Sequence, residues 1–385
     1  VALTSVVMKC AERVVLKHLR QETAEQQDPL QFAYCKGRNT EDAILTLLHS
    51  LYSHLDKPRT YARILYVDFS SAFNTLQPHL LVEKLLAMSV NPTLIMWVHS
   101  FMTDRPQQVR VGNAVSDVLA TNTGAPQGCV LSPALFTTYT ADCRSQDQSN
   151  VLVKFADDTS LSGLVSSDES SYRSAVTELV DWCDKNFLEL NINKTEEMVI
   201  DFRRQSGIID PLVIKGEEVR VVSQYKYLGT VIDDKLDWSA NVDACCKKTN
   251  QRLFFLRKLK QFRVSSTILT MFYQSVIESM LLYNQLCYFN GITQADRDRL
   301  NRLVSTASKV TGREARPLAL AYDTAAVKKI RRIQEEPSHP LHQAVAACES
   351  RRSSGRLISL KCRTSRFKDS FLPTAIRTVN EANTR

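Results

Sequence analysis

An α+β fold in two unequal parts is predicted, and three observations predict it. Short apolar stretches of strand character alternate with amphipathic helical stretches up to about residue 238, and purely helical periodicity follows. The charge changes sign near the same place: residues 1–246 carry 23 Lys and Arg against 31 Asp and Glu, whereas residues 247–385 carry 26 against 10. An acidic front suits a domain that gathers carboxylates around metal ions, and a basic back suits one that lies along a phosphate backbone; the plainer reading of the back is a basic helical surface. With 44% hydrophobic and 23% charged residues the composition excludes a disordered chain. The ten cysteines contain no Cys-x-x-Cys pair and no secretory signal precedes them, so a reduced intracellular compartment is expected. No apolar run approaches the ~18 residues of a membrane span, so no membrane partner is expected.

The elements follow in order. Asn39 and Thr40, with Glu41 and Asp42 in the first turn, start a helix whose buried face carries Leu45, Leu48, Leu51 and Leu55. Ile64 to Phe69 is short and partly β-branched or aromatic, which predicts a central strand ending at Asp68. Pro78 and Pro92 stand at first helical positions and open two more helices. Val109, Val111, Val115 and Val118 alternate around Gly112-Asn113, a hairpin signature. A second hairpin runs Val151, Val153, Phe155 up to Ala156-Asp157-Asp158 and on through Leu161 and Leu164, placing both aspartates in its turn. Val176, Leu179, Val180, Cys183 and Phe187 mark an amphipathic helix, and strands are expected near residues 198–202, 212–215 and 219–222. Beyond Trp238, the positions of Val242, Cys246, Thr249, Leu253 and Leu256, then of Leu269, Phe272, Val276 and Met280, are helical. Residues 335–355 collect Pro, Ser and Gly and read as a linker before a basic tail.

A carboxylate at the end of a central strand, facing carboxylates in the turn of a neighbouring hairpin, is a workable Mg²⁺ site. The ion takes hard oxygen ligands, usually one or two carboxylates, and completes its octahedron with water and substrate phosphates. Nucleotidyl transfer needs two such ions ~3.5–4 Å apart to hold the attacking and leaving oxygens. Asp68 and the Asp157-Asp158 pair occupy those positions 89 residues apart, so tertiary folding would have to assemble the site. A lone Asp-Asp turn is more often plain turn chemistry. Here Phe155 and Ala156 carry the strand apolar right up to the turn, and a carboxylate at the edge of a core calls for compensation.

Three strings in order, Tyr66-Val67-Asp68-Phe69-Ser70-Ser71-Ala72-Phe73-Asn74, Gly124-Ala125-Pro126-Gln127-Gly128-Cys129-Val130-Leu131-Ser132-Pro133 and Phe155-Ala156-Asp157-Asp158, resemble successive core motifs of the reverse transcriptases of non-LTR (LINE-type) retrotransposons. The resemblance extends through Leu188 to Thr195, Tyr225 to Gly229 and the stretch from Ser338, and so covers nearly the whole chain. It implies a right-hand polymerase: fingers and palm over residues 1–238, a helical thumb over 239–335 and a basic C-terminal tail over 336–385. The implied activity is RNA-directed DNA synthesis from dNTPs, on an RNA template and a DNA primer, with two Mg²⁺ ions or with Mn²⁺.

Carried over residue by residue, the resemblance makes Asp68, Asp157, Asp158 and the carbonyl of Phe69 the metal set. Phe73 becomes an aromatic that blocks a ribose 2′-hydroxyl, the alternative being a core aromatic. Gln127 and Gly128 become backbone contacts to nucleotide and template, the alternative being ordinary turn geometry. Lys194 is the candidate cation for the leaving pyrophosphate, against a solvated helix-end lysine. Tyr227, Leu228 and Gly229 would form the hairpin that grips the primer, and Arg38 could face template or triphosphate, though a surface arginine at a helix start fits as well. Lys247, Lys248, Arg252, Arg257, Lys258, Lys260 and Arg263 would hold nucleic-acid backbone.

The family's triphosphate arginine and its endonuclease domain would lie upstream of Val1, so the chain is expected to be a fragment or a truncated copy. Asn74 stands where many relatives carry a second Asp. His339, His342, Cys348 and Cys362 match no usual zinc spacing. Ala156 and Phe73 speak against an RNA-dependent RNA polymerase. The rival from another class is an inactive retroelement relic that only binds RNA. Nuclear action is implied only by the resemblance.

Overall fold

The computed structural model describes residues 4–204, 209–349 and 356–383. Helix α1 (Val6–Glu22) precedes α2 (Thr40–Leu55), which opens on a capping box between Asn39 and Asp42. Strand β1 (Tyr61–Val67) follows, then α3 (Pro78–Ala87) and α4 (Pro92–Met102), each with its proline in the first turn where no amide partner is lost. Four short strands, β2 (Arg105–Gln107), β3 (Arg110–Val111), β4 (Ala114–Val115) and β5 (Leu119–Thr121), pair β2 with β5 and β3 with β4 as one ribbon around Gly112-Asn113. The expected hairpin is there, but its valines are not a core face. Val109, Val111, Val115 and Val118 are all exposed, because nothing in the described chain lies over either side of the ribbon.

Helix α5 (Ser132–Tyr139) leads into the hairpin of β6 (Asn150–Phe155) and β7 (Asp158–Val165), then α6 (Ser170–Lys185) and β8 (Glu196–Asp201). Strands β9 (Val213–Ile214) and β10 (Glu217–Glu218) form a small hairpin, and β11 (Arg220–Val221) joins β8 in parallel. The main sheet has the order β11-β8-β1-β7-β6. Strand β1 lies at its centre, antiparallel to both β8 and β7, and all seven of its residues are buried. Ala62, Ile64 and Tyr66 join a core with α2, and Leu65 and Val67 join a second core with α5 and α6. Arg63 breaks the apolar run without cost in paired charge. Its guanidinium, fully buried, donates to both oxygens of Glu197 on β8 at 2.9 and 2.6 Å and to Glu169 at 2.6 Å.

A hairpin of β12 (Gln224–Tyr227) and β13 (Thr230–Asp233) turns the chain into α7 (Ser239–Gln261). The next helix, α8 (Ser266–Phe272), widens into a π turn over Tyr273–Glu278, and helices Gln294–Thr311 and Leu318–Glu335 complete a helical second part. The expected linker at residues 335–355 is corrected over its described part, residues 350–355 lying outside the described residues. Leu341, Val345 and Cys348 are buried, and helix Phe371–Ala382 packs Phe371, Leu372 and Ile376 into the same core as α2. Among the described residues no helix is long and apolar enough to cross a membrane.

Candidate active site

The site grows from the register of β1 and β7. Val67 faces Thr159, so the next antiparallel pair is Asp68 with Asp158. Strands β6 and β7 close with Phe155 opposite Asp158, leaving Ala156 and Asp157 as a two-residue turn. Asp157 thus lies in the turn, as expected, and Asp158 is the first residue of β7. Ala156 holds a left-handed φ of 59°, unusual for a residue with a β-carbon. Its amide donates to Oε1 of the buried Gln31 at 3.1 Å, which pins the turn.

Asp158 feels the other two carboxylates. Burial pushes the Asp158 carboxyl up from the usual carboxylate range, and the charges of Asp157 and Asp68 push it further. Among the described residues, no three His, Cys, Asp or Glu side chains close into a metal-binding group by themselves. An open set still fits a hard cation that draws its remaining ligands from water and substrate, and a cation would relieve the repulsion that raises Asp158. The backbone around Phe69 is fixed by its neighbours. Phe69 bridges Leu190, and the bonds beside it run from Ser70 N to Glu189 O (2.8 Å) and from Asn191 N to Asp68 O (2.9 Å). In that arrangement the polar groups of Phe69 point away from Leu190, toward the β7 side.

Those bonds also bring Lys194 in. The Asn191–Thr195 turn packs on the end of β1, with the Asp68 amide 3.4 Å from Thr195 Oγ1, and Lys194 Nζ lies 3.8 Å from Asp68 Oδ2. The Gly124–Gly128 loop docks on the turn after β1: Gly124 donates to Leu76 O and Ala125 to Phe73 O, both at 2.8 Å. Gly124 has φ +77°, and a β-carbon there would lie 2.7 Å from Asn74 O, so only glycine allows this approach. Gln127 and Gly128 are exposed at the tip of the loop. Behind it, Glu12 accepts from the amides of Val130 and Leu131 at 2.6 and 3.0 Å. Phe73 is half-buried and stacks on Phe136 with centroids 4.6 Å apart.

Two expected site residues are taken up by the chain itself. Arg38, expected to face template or triphosphate or to be a surface arginine, donates its guanidinium to Ser338 O at 2.7 Å and pairs with Glu336 at 3.3 Å, with only 7% of the side chain exposed. The hairpin at Tyr227-Leu228-Gly229 forms, but Tyr227 points inward, buried beside Tyr66 and bonded to Ser160. What the hairpin presents is its Leu228-Gly229 turn, with φ of 45° and 83°, whose Leu228 carbonyl accepts from Tyr283 at 3.0 Å. A cleft of ≈ 560 Å³ beside this turn is lined by Lys226, Gly229, Asn241, Lys248, Met280 and Tyr283.

The basic residues of α7 are exposed, and among the described residues Lys247, Lys248, Arg252 and Arg257 have no ion-pair partner. Lys260 is committed to Val310 O at 2.6 Å. His339 and the cysteines at 348 and 362 do not gather: His339 bonds Asp42 and the Leu341 amide, and Cys348 bonds Ala344 O. Sequence reasoning passed over Tyr34, whose phenol is raised by burial and by Asp157, and Tyr225, stacked on Tyr66 at 3.8 Å and pushed up to about 12 by burial and then by the charges of Asp158, Glu196 and Asp68. The alternation of tyrosines at 225 and 227 was the available signal for the second; Tyr34 had none.

This arrangement of a central strand, a carboxylate hairpin and two flanking turns defines a polymerase palm. The reverse transcriptase (RNA-dependent DNA polymerase) family matches residues 1–232, and the chain belongs to that family, with its right-hand polymerase fold. The N-terminal region of the alkylated DNA repair protein alkB homolog 8 family matches only residues 238–279. The chain is 25% identical over 280 residues to the probable RNA-directed DNA polymerase from transposon BS of Drosophila melanogaster, covering 70% of this chain and 31% of the relative. It is 24% identical over 311 residues to the RNA-directed DNA polymerase from mobile element jockey of the same organism, covering 77% and 33%. It therefore spans about a third of the length of these curated relatives. Apo telomerase from Candida tropicalis superposes with a TM-score of 0.43 at 14% identity, over 96% of this chain and 55% of that one.

Proposed function

We propose that the chain is the polymerase portion of a non-LTR retrotransposon reverse transcriptase, extending a DNA primer on an RNA template. Residues 1–238 would serve as fingers and palm, 239–335 as thumb and 336–385 as a basic C-terminal tail, whose helix Phe371–Ala382 packs into the same core as α2. The observation that carries this reading is the meeting of Asp68 with Asp157 and Asp158 at one end of the central strand pair. Two Mg²⁺ ions held there, with the Phe69 carbonyl, would neutralise charge on the attacking and leaving oxygens. The remaining work falls to side chains and backbone of this chain. Lys194, 3.8 Å from Asp68, is placed to offer positive charge or a proton to the leaving pyrophosphate. The Gly124–Gly128 loop, locked on the Phe73 and Leu76 carbonyls, offers exposed backbone at Gln127 and Gly128 to the nucleotide. Phe73 stands on that same turn as a steric limit at the sugar. Action in the nucleus belongs to the same reading.

The test is primer extension on an RNA template with Mg²⁺ and dNTPs, using this chain and an Asp157→Asn variant. Extension by the wild type and a loss of at least about 100-fold in the variant is expected. Extension by Asp157→Asn at the wild-type rate would remove the carboxylates from the reaction. RNA binding without extension, by a folded wild-type chain supplied with either metal, would favour the inactive relic.

A further inference from the structure

Between Asp243 and Glu278 the chain has seven cations and no carboxylate. The first part of this stretch is α7, whose inner face buries Val242, Cys246, Thr249, Leu253 and Leu256. At 3.6 residues per turn, Lys247, Phe254, Phe255, Lys258 and Phe262 fall on the opposite side. The three rings stand in water: Phe254 is 53% exposed, Phe255 50% and Phe262 79%. Phe254 and Phe255 meet edge to face at 5.6 Å, and Lys258 Nζ lies 5.7 Å from the Phe254 centroid, so ring and cation are presented together.

A protein partner covering these rings would also have to bury the lysines, and the one carboxylate of α7, Asp243, is already paired with Arg299. A polyanion that carries flat aromatic faces satisfies both at once, with phosphates for the cations and bases for the phenyl rings. A duplex keeps its base faces inside the stack. We propose that the outer face of α7, through Phe254, Phe255 and Phe262 with Lys247 and Lys258, holds an unpaired nucleic-acid strand by base stacking. The proposal rests on the polymerase reading insofar as that reading makes nucleic acid the substrate.

The experiment is fluorescence anisotropy of the purified chain with four labelled probes of about 20 nucleotides: single-stranded RNA, single-stranded DNA, an abasic DNA strand and a blunt DNA duplex. Both base-bearing strands are expected to bind about 5- to 100-fold more tightly than the abasic strand, and the RNA and DNA arms show which sugar is preferred. A Phe254→Ala, Phe255→Ala double variant should lose that advantage while binding the abasic strand as before; Phe254→Leu, Phe255→Leu, which keeps apolar bulk, should lose it too. The rings are exposed, so circular dichroism should be unchanged. Equal losses on abasic and base-bearing strands, or none, would overturn the proposal, as would a wild-type dimer that the Phe variants convert to monomer. Asp157→Asn separates the two readings: it should abolish extension and leave strand binding intact. Base-dependent binding in a wild type that never extends a primer would sink the polymerase reading alone.

Discussion

Asp158 shows what a half-buried carboxylate beside two others costs its fold. Burial and the charges of Asp157 and Asp68 raise its carboxyl, so at neutral pH the folded chain carries an anion it disfavours. The sign follows: ionisation of a raised carboxyl works against folding, so Asp158→Asn should increase the melting temperature in metal-free buffer while reducing extension by at least about 100-fold. A variant that loses activity and melts lower would mean that Asp158 is held by contacts rather than strained by charge. Protons and metal compete for the same oxygens, so the Mg²⁺ concentration for half-maximal extension should rise as pH falls toward that raised carboxyl, an effect absent if the site takes no metal. Phe73 makes a second test at this scale. Its ring stacks on Phe136 at 4.6 Å, so Phe73→Val should lower stability by about 1 kcal/mol and, separately, raise ribonucleotide incorporation relative to deoxynucleotide. Lower stability with unchanged discrimination would assign the ring to the core.

At the scale of elements, the N-terminus of α2 is tied to the end of the chain. Asp42 caps the helix through the Asn39 amide and also receives Lys329 at 2.7 Å and His339 at 3.3 Å. Burial alone would raise its carboxyl, but the His339 bond and the Lys329 charge outweigh that and hold it at about 2. A depressed carboxyl contributes stability that is present above its unfolded value and is lost as pH falls through the folded one. This pair should therefore stabilise by roughly 2 kcal/mol above pH ~4 and fade toward pH ~2. Asp42→Asn should cost about 2 kcal/mol in urea unfolding at neutral pH, since it leaves the buried Lys329 with Glu41 alone, at 3.1 Å; a loss under about 0.5 kcal/mol would show the contact to be incidental. None of this was legible in the sequence, because Asp42 reads as a first-turn acid and Lys329 and His339 lie almost three hundred residues away. The elements set by local pattern were legible: the Asn39 cap, the prolines at 78 and 92, the Gly112-Asn113 and Asp157 turns. The carboxylate set was legible too, since strand end and hairpin turn are local features. What failed had no local signature. Arg38 looked like a ligand for phosphate until Glu336 and Ser338 arrived from the other end of the chain, and the proline- and serine-rich stretch around Pro337 looked like a linker although Leu341 and Val345 anchor it.

Over the whole molecule, the division between an acidic front and a basic back places the carboxylates and the unpaired cations on different parts that meet at the β12–β13 hairpin. There Gly229 of the turn and Lys248 line the same ≈ 560 Å³ cleft. A primer end held at the turn would then run its backbone along α7, whose Lys248, Arg252 and Arg257 are exposed and free of ion pairs among the described residues. Lys260 is a poorer choice for this role, since its ammonium already serves Val310 O. Each phosphate contact releases condensed counterions, so the logarithm of affinity for a template–primer duplex should fall linearly with the logarithm of salt, and each contact removed should reduce the slope by about 0.7–0.9. Replacing Lys248, Arg252 and Arg257 with Ala should therefore flatten the slope by about 2–3 and shorten the products made per binding event. Single-nucleotide addition at saturating template–primer should be nearly unchanged, because none of the three touches the carboxylate end of β1. Lys260→Ala alone should leave the slope within error and act instead on the packing of α7 against helix Gln294–Thr311. An unaltered slope in the triple variant would make the basic face a solvated surface, and the duplex would have to be held by the front of the molecule instead.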